Sequence, residues 1–312
     1  MNMKPRLNRL RLLCLIALVL TAATVDLGLR ARPIQFVQTL SDARSAAATA
    51  CRLPISGPGI AGFVSYPSGQ FSRDASISPK TTVAYDNAVG RWLPVPFEWL
   101  SPDGLSYAAI DYASGVITTH LAGTLAITHT YDAQANDIIG WDARGIFFWT
   151  IKPVQTKLIT PSGGIVPVSP IGVFEPEHLS LSGLWSVSHA VTVRDETSGV
   201  GQNVRELAPS SDAPAVATRF LGFNAAGDPV TFEQSDPTKP DGVLVSTDRA
   251  GRPTTLSQSV QSGLRPHLVR GDTQGLWVTS NDGSLWIVPH GSATPQRVTP
   301  SIGAYVIAGR CS

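Results

Sequence analysis

The sequence is poor in charged residues, in cysteine and in segments with helical periodicity. Charged residues make up 15% of the 312 positions, against about 25% in an average soluble domain. The formal net charge of +1 gives no electrostatic reason to expect nucleic acid or another polyanion as a partner. No stretch after Cys51 has the apolar spacing of a long amphipathic helix, which excludes a helical bundle or a coiled coil.

Motifs of several common active sites are also absent. The sequence contains no HExxH, GxSxG or SxxK pattern, which excludes the usual protease and esterase centres. The segment GPGIAG, residues 57–62, formally matches a dinucleotide-binding pattern, but a helix must follow that pattern to receive the pyrophosphate. FVSYPSG follows instead, so we interpret the segment as a loop. We predict no catalytic, cofactor-binding or metal-binding residue.

The histidines outline no metal or acid–base site. His120 and His129 flank LAGTLAIT in one strand-like segment. Their odd spacing places them on opposite faces of an ideal strand, which is wrong for a shared metal. We interpret both as surface or turn residues. His267 and His290 belong to no motif that would bring a carboxylate or a metal beside them.

The N-terminal segment has the pattern of an export signal. Four basic residues precede an uncharged run over 12–25. A basic start followed by about a dozen apolar residues is typical of a signal peptide. An uncleaved anchor is the alternative, although the run is shorter than the ~20 residues of a usual spanning helix. We predict a signal peptide or signal anchor over 1–25, a linker over 26–50, and a body outside the cytoplasm over 51–312, secreted or membrane-anchored.

Cysteine usage agrees with export. Cys14 lies in the N-terminal apolar run, which leaves Cys51 and Cys311 near the two ends of the predicted domain. In an oxidising compartment such a pair predicts a disulfide. A bridge across so long a loop stabilises by about 5 kcal/mol in the chain-entropy model. Two free thiols are the alternative; a metal site is disfavoured because no further ligand lies near either cysteine.

The body of the chain repeats a phrase in which an apolar strand, a polar turn with glycine and a second apolar strand follow one another. The phrases are marked by glycines at intervals of 42, 41, 38, 44 and 48 residues, namely Gly62, Gly104, Gly145, Gly183, Gly227 and Gly275. A period near 40–45 residues with room for about four strands is typical of propeller blades. We predict an all-β fold, a β-propeller of about six four-stranded blades; the irregular unit 172–210 leaves five or seven open.

Turn chemistry and the C-terminus suggest how the blades are built and closed. The sequence SPDG, residues 101–104, places proline and glycine where a tight turn needs them. Asn281-Asp282-Gly283 predicts a hairpin between two strands of the last blade. The apolar segment 304–308 predicts one more strand, which would complete the first blade and bring Cys311 to the segment around Cys51.

The same phrases carry a family resemblance. Residues 91–112, 136–150 and 275–288 resemble uncharacterised exported bacterial propellers of the TolB-like and WD40-like type. The resemblance covers about 51–312 and implies a propeller fold. Its motifs are structural and imply no reaction. Seven tryptophans fall mostly in these phrases, and we interpret them as packing between blades rather than as a platform for carbohydrate.

We therefore expect a non-enzymatic, monomeric binding or scaffold module for a protein, a peptide or a cell-envelope ligand, without a cofactor. An enzymatic propeller is the alternative. Residues 275–291 loosely resemble streptogramin-lyase-like blades, and Ser280–Trp286 is one residue short of the Asp-box turn of sialidase-like, glycoside-hydrolase-like propellers. A cavity that gathers His, Asp, Glu and Arg side chains would favour an enzyme, whereas a cavity lined with Ser, Thr, Ala and Leu would disfavour one.

Overall fold

The computed structural model describes residues 50–168, 177–180, 183–187, 192–195, 202–206, 217–234, 236, 239, 241–258 and 263–312. These residues are nearly all β: twenty-five strands are described, with one short 3-10 helix at Phe97–Trp99. Within this part of the chain, no helix combines the length and apolarity needed to cross a membrane. The predicted signal segment 1–25 with Cys14, and the predicted linker 26–50 except its last residue, lie outside the described residues.

The first sheet combines both ends of the described chain. It has the order β25-β1-β2-β3, with the strands β1 Cys51–Gly57, β2 Ile60–Tyr66, β3 Phe71–Arg73 and β25 Val306–Ile307. β25 pairs antiparallel with β1, with Ile307 opposite Ile55. The predicted C-terminal strand is therefore present but is two residues long rather than five. Ala308 continues the pairing beyond it, since its N–H donates to the carbonyl of Pro54 over 2.9 Å.

Two smaller sheets follow. The first is a hairpin of β4 Ala84–Asp86 and β5 Arg91–Leu93, and the second joins β6 Ser106–Asp111, β7 Val116–Leu121 and β8 Ile127–Asp132. An isolated bridge between Leu100 and Tyr107 adds a short inner segment to the second sheet. The predicted turn before β6 is confirmed, because Gly104 has φ +71° and its N–H donates to the carbonyl of Ser101 over 2.9 Å.

Two four-stranded antiparallel meanders come next. One consists of β9 Asp137–Asp142, β10 Gly145–Ile151, β11 Val154–Ile159 and β12 Ile165–Pro167. The other consists of β13 Glu177–Ser180, β14 Gly183–Val187, β15 Thr192–Asp195 and β16 Gln202–Glu206. The second meander lies in the unit that the sequence marked as irregular. Described parts of its polar segment form the last two strands, β15 and β16.

An eight-stranded sheet completes the chain and contains two meanders side by side. The first comprises β17 Ala217–Phe223, β18 Pro229–Gln234, β19 Val243–Thr247 and β20 Pro253–Gln258. The second comprises β21 Pro266–Gly271, β22 Gly275–Ser280, β23 Leu285–Pro289 and β24 Gln296–Thr299. Their first strands, β17 and β21, pair in parallel. The turn Asn281-Asp282-Gly283 joins β22 to β23, as predicted. Successive antiparallel meanders with parallel first strands are consistent with a β-propeller.

The apolar core lies between neighbouring sheets. Trp277, from the last meander, packs in one cluster with Leu53, Ile55 and Tyr66 of the first sheet. The ring of Tyr66 meets that of Trp277 edge-on, with 5.3 Å between centroids. Trp185 and Trp277 are fully buried. These two tryptophans therefore serve as packing residues, as the sequence indicated.

Candidate functional site

A cavity lies where the first strands of successive sheets converge. Its volume is about 1300 Å³, and its wall includes residues of β9, β13, β17, β21 and β25 together with the 3-10 helix. The wall carries both apolar and ionisable side chains. The ionisable ones include histidine, aspartate, glutamate and arginine, the residue types whose convergence would favour an enzyme.

Glu98 and Arg270 form an ion pair on the cavity wall. Arg270 lies on β21 and donates a hydrogen bond from Nη2 to Oε1 of Glu98 in the 3-10 helix. The guanidinium also lies over the ring of Phe97, 4.3 Å from its centroid. The Arg270 side chain is 22% exposed and that of Glu98 is 47% exposed. A partly buried cation and a more exposed anion therefore meet at this point.

Asp142 and Arg144 form a second pair in the turn between β9 and β10. Arg144 donates from Nε over 2.9 Å and from Nη2 over 2.6 Å to Oδ2 of Asp142. The backbone N–H of Arg144 donates to Oδ1 of the same carboxylate over 2.8 Å. The guanidinium lies 4.7 Å from the ring centroid of Phe147. This carboxylate is held by its own turn, and its charge is compensated there.

His178 is the histidine of the described cavity wall. It lies on β13, and its ring stacks on Phe220 of β17 with 4.2 Å between centroids. Burial disfavours the charged imidazolium and lowers the pKa of His178 to about 4. The ring is therefore neutral at pH 7. A neutral imidazole stacked on phenylalanine provides an aromatic surface and one donor and one acceptor nitrogen.

Asp86 and Asp103 differ although both line the cavity. Asp86 is 3% exposed, and burial, aided by the charge of Asp103, raises its pKa although the backbone N–H groups of Ala88 and Val89 act against the shift. Its Oδ2 atom has no hydrogen-bond partner within the described residues. Hydrogen bonds from the hydroxyl of Ser101 and the N–H of Leu105 lower the pKa of Asp103 instead. Asp86 is thus the carboxyl that stays protonated to higher pH.

The residues that the sequence singled out lie elsewhere. Cys51 and Cys311 form the predicted disulfide, with Cα atoms 5.4 Å apart. His120 and His129 lie on the neighbouring strands β7 and β8 rather than on one strand, which corrects the premise of the spacing argument. The ring of His120 stacks on that of Tyr107, and the ring of His129 stacks on that of Tyr131.

The remaining sequence candidates lie outside the cavity wall. His290 bonds through Nε2 with the carbonyl of Asp272 over 3.0 Å, and His267 is exposed on β21. The segment GPGIAG forms the hairpin turn between β1 and β2, where Gly57 and Ile60 are paired. Within the described ranges, no group of three or more His, Cys, Asp or Glu side chains is arranged to hold a metal ion.

Sequence reasoning missed the three side chains that define the cavity: Glu98, His178 and Arg270. Each comes from a different sheet or loop, and 172 positions separate the two members of the ion pair. No local motif surrounds any of them, because each occupies a short first strand or the 3-10 helix. Only a signal that relates distant segments, such as the repeat register of the first strands, could have brought them together.

No family model and no curated protein matches the sequence. Solved structures with some similarity include a catalytically inactive virginiamycin B lyase from Staphylococcus aureus with quinupristin (13% identity, TM-score 0.43, 82% of this chain and 87% of that one). They also include a nidogen/laminin complex (11%, 0.47, 80% and 93%) and a putative 6-phosphogluconolactonase from Bacteroides fragilis (9%, 0.42, 86% and 98%). At this level of similarity, these matches assign neither a reaction nor a ligand to the chain.

Proposed function

We propose that this protein is an exported, monomeric β-propeller that binds a ligand in its cavity without transforming it. The observation that carries the proposal is the cavity of about 1300 Å³ at the convergence of the first strands. Typical small-molecule sites have roughly 300–1,000 Å³, so this space is sufficient for a drug-sized molecule or a short peptide segment. Rigid sheets that present a concave wall are well suited to recognition.

The proposed ring has six blades. Two of the six blades are the first sheet and the β6–β8 sheet with its inner segment at Leu100. The two separate meanders and the two halves of the eight-stranded sheet supply the other four blades. Closure occurs where β25 joins β1, and the disulfide between Cys51 and Cys311 covers this seam. A disulfide is typical of an oxidising compartment, which supports export together with the N-terminal apolar run.

Binding is favoured over catalysis because several ionisable groups of the wall have other roles. Arg144 neutralises Asp142 within one turn, and Asp103 is held by its own turn through Ser101 and Leu105. His178, with a pKa of about 4, is a weak base, whereas a general base is most effective when its pKa is near the operating pH. These groups shape and charge the wall more than they prepare it for proton transfer.

The test is retention of a ligand by the full chain. The purified protein is incubated with an envelope extract from its source, repurified, denatured and examined by mass spectrometry for a retained compound. Leu268 lines the cavity and is 36% exposed, so Leu268→Trp places a bulkier ring in the space that a ligand would occupy. Ile127 is 61% exposed on β8, outside the cavity wall, and Ile127→Trp is the matched control. We expect retention by the wild type and the control and loss in Leu268→Trp; equal retention by all three, or retention by none, would contradict the proposal.

An enzymatic propeller remains the second candidate, because the cavity gathers His178, Glu98 and Asp86 near apolar side chains. The same experiment separates the two functions. If the retained compound keeps its mass through repeated incubation with fresh protein, the protein binds it. If its mass changes in proportion to time and to protein, and Leu268→Trp abolishes the change, the chain is an enzyme and the binding proposal is wrong.

A further inference from the structure

Arg270 is held in place by contacts that do not depend on Glu98. Its side chain is 22% exposed, and the guanidinium lies over the face of Phe97, 4.3 Å from the ring centroid. The face of an aromatic ring attracts a cation, and a planar guanidinium stacks well on it. If Glu98 moved away, the cation would therefore keep its position on the cavity wall.

The hydrogen-bonding capacity of Arg270 is only partly used. A guanidinium has five N–H donors in a planar fork that matches the two oxygens of a carboxylate. Only Nη2 donates, to Glu98, and the Nε and Nη1 donors have no hydrogen-bond partner in the part of the chain that the structure describes. The cavity wall thus presents a guanidinium that is held in position and that uses only one of its donor groups, Nη2.

Glu98 is a weakly held occupant. Its side chain is 47% exposed, about twice the exposed fraction of its partner Arg270. Ion pairs exposed to this extent contribute little net free energy, because solvent screens them and they restrict long side chains. An incoming carboxylate can take the place of Glu98 and leave it hydrated.

The surroundings of the fork are apolar. Leu268 precedes Arg270 by two positions on β21, so the two side chains share one face of the strand. Leu268 lines the cavity, and the stacked rings of His178 and Phe220 add aromatic surface to the same cavity. A ligand that reaches Arg270 therefore lies against apolar and aromatic side chains.

Resting on the binding role proposed above, we infer that the ligand of this cavity is a carboxylate on an apolar or aromatic body, and that its carboxylate replaces Glu98 on Arg270. A carboxylate exchanges with Glu98 charge for charge. A free organic acid and the C-terminus of a peptide share this chemistry.

The experiment is calorimetric titration of the full chain with three acids, N-acetyl-phenylalanine, indole-3-propionate and hexanoate, each beside its neutral amide. A hexapeptide that ends in phenylalanine, as acid and as amide, distinguishes a peptide terminus from a free acid. We expect at least one acid to bind and its amide to bind about tenfold or more weakly, as for a hydrogen-bonded charged group. If the peptide acid binds more tightly than the free acids, the ligand is the C-terminus of a peptide. If the free acids bind more tightly than the peptide acid, the ligand is a free organic acid.

Variants at the ion pair provide the second readout. Glu98→Gln removes the competing carboxylate and should tighten the acid's Kd by about two- to fivefold. Arg270→Leu should weaken it about tenfold or more, with Arg270→Lys between the wild type and Arg270→Leu. Arg297→Leu is the matched control, because Arg297 also lies near a ring, 6.0 Å from that of Trp286, and near Asp282, but outside the cavity wall. It should leave the Kd unchanged.

The outcomes separate this inference from the binding role. In one outcome, acid and amide bind equally, Arg270→Leu binds as the wild type does, and Leu268→Trp does not bind. This outcome overturns the inference of a carboxylate ligand but keeps the cavity as a binding site. Failure of every acid to bind also overturns the carboxylate, and the retention experiment then decides the binding role by itself. Circular dichroism of each variant shows whether a lost affinity reflects a lost fold; in that case Arg270→Lys and Glu98→Gln supply the result.

Discussion

The carboxylate of Asp272 accepts a hydrogen bond of 2.7 Å from the indole N–H of the fully buried Trp277. The same oxygen, Oδ2, accepts the backbone N–H of Cys311 over 3.3 Å, and Oδ1 accepts that of Gln274 over 2.8 Å. A single side chain thus links the turn between β21 and β22, the core between the first and last sheets, and the C-terminal cysteine.

Replacement of Asp272 by alanine should destabilise the fold by about 1–3 kcal/mol, because it leaves the buried indole N–H of Trp277 without an acceptor. Urea unfolding followed by tryptophan fluorescence measures the difference. Asp111→Ala is the control: Asp111 accepts similar turn hydrogen bonds from Ala113 and Ser114 but is exposed, so its loss should have a smaller effect. Equal losses in both variants would show that the buried indole is not the cause.

Loss of the disulfide should destabilise the fold by about 2–5 kcal/mol, because the unfolded chain regains the freedom of a loop that closes 260 residues. The comparison is wild type against Cys51→Ser/Cys311→Ser in urea, with intact mass before and after reduction. The oxidised protein should weigh two hydrogens less than the reduced protein and resist alkylation at both positions. Two alkylated thiols in protein purified without reductant would contradict the bridge.

Gly275→Ala should be far more damaging than Gly59→Ala. Both glycines have positive φ, +150° and +73°, so both substitutions strain the backbone by about 1–3 kcal/mol. At Gly275 the new Cβ would also collide with the carbonyl oxygen of Val288 on β23, whereas nothing lies within 4 Å at Gly59. Unfolding free energies of the two variants test this. Similar losses would show that conformation alone, rather than close approach of the neighbouring strand, requires glycine at position 275.

Part of the repeat was predictable from these glycines. Gly145, Gly183 and Gly275 occupy one structural position, the first residue of the second strand in a meander, with φ values of +135°, +144° and +150°. The need for glycine at this strand start therefore accounts for the spacing between these three glycines. Gly104 and Gly227 lie in turns, and Gly62 lies inside β2, so their regular spacing reflects blade length only loosely.

The cavity was not predictable in the same way. Hairpins such as Asn281-Asp282-Gly283 are encoded by adjacent residues that match a turn conformation. The pairing of Glu98 with Arg270 depends on how separate sheets are placed around the cavity, and neither residue lies in a pattern that specifies a partner 172 positions away. The disulfide was an exception among distant pairs, because only two cysteines remained once Cys14 was assigned to the apolar run.

His178 should make the fold sensitive to mild acid. Burial lowers its pKa from 6.5 to about 4 in the folded protein, so between these values the unfolded chain binds more protons than the folded chain. Stability therefore rises with pH across this window and falls, by about 1–3 kcal/mol, as pH decreases from 6.5 toward 4. Asp86 acts in the opposite direction, because its raised pKa means that the folded protein binds the extra proton above pH 3.8.

The contribution of His178 is isolated by comparing wild type with His178→Phe, which keeps an aromatic ring against Phe220. Urea unfolding at pH 7.5, 6, 5 and 4.5 should give a difference in unfolding free energy that changes in favour of the variant as pH falls, since phenylalanine cannot be protonated in the unfolded state. Asp86 is common to both proteins and cancels in that difference. A difference that stays constant with pH would mean that the histidine titrates alike in the folded and unfolded chains, and that the cavity wall does not desolvate it.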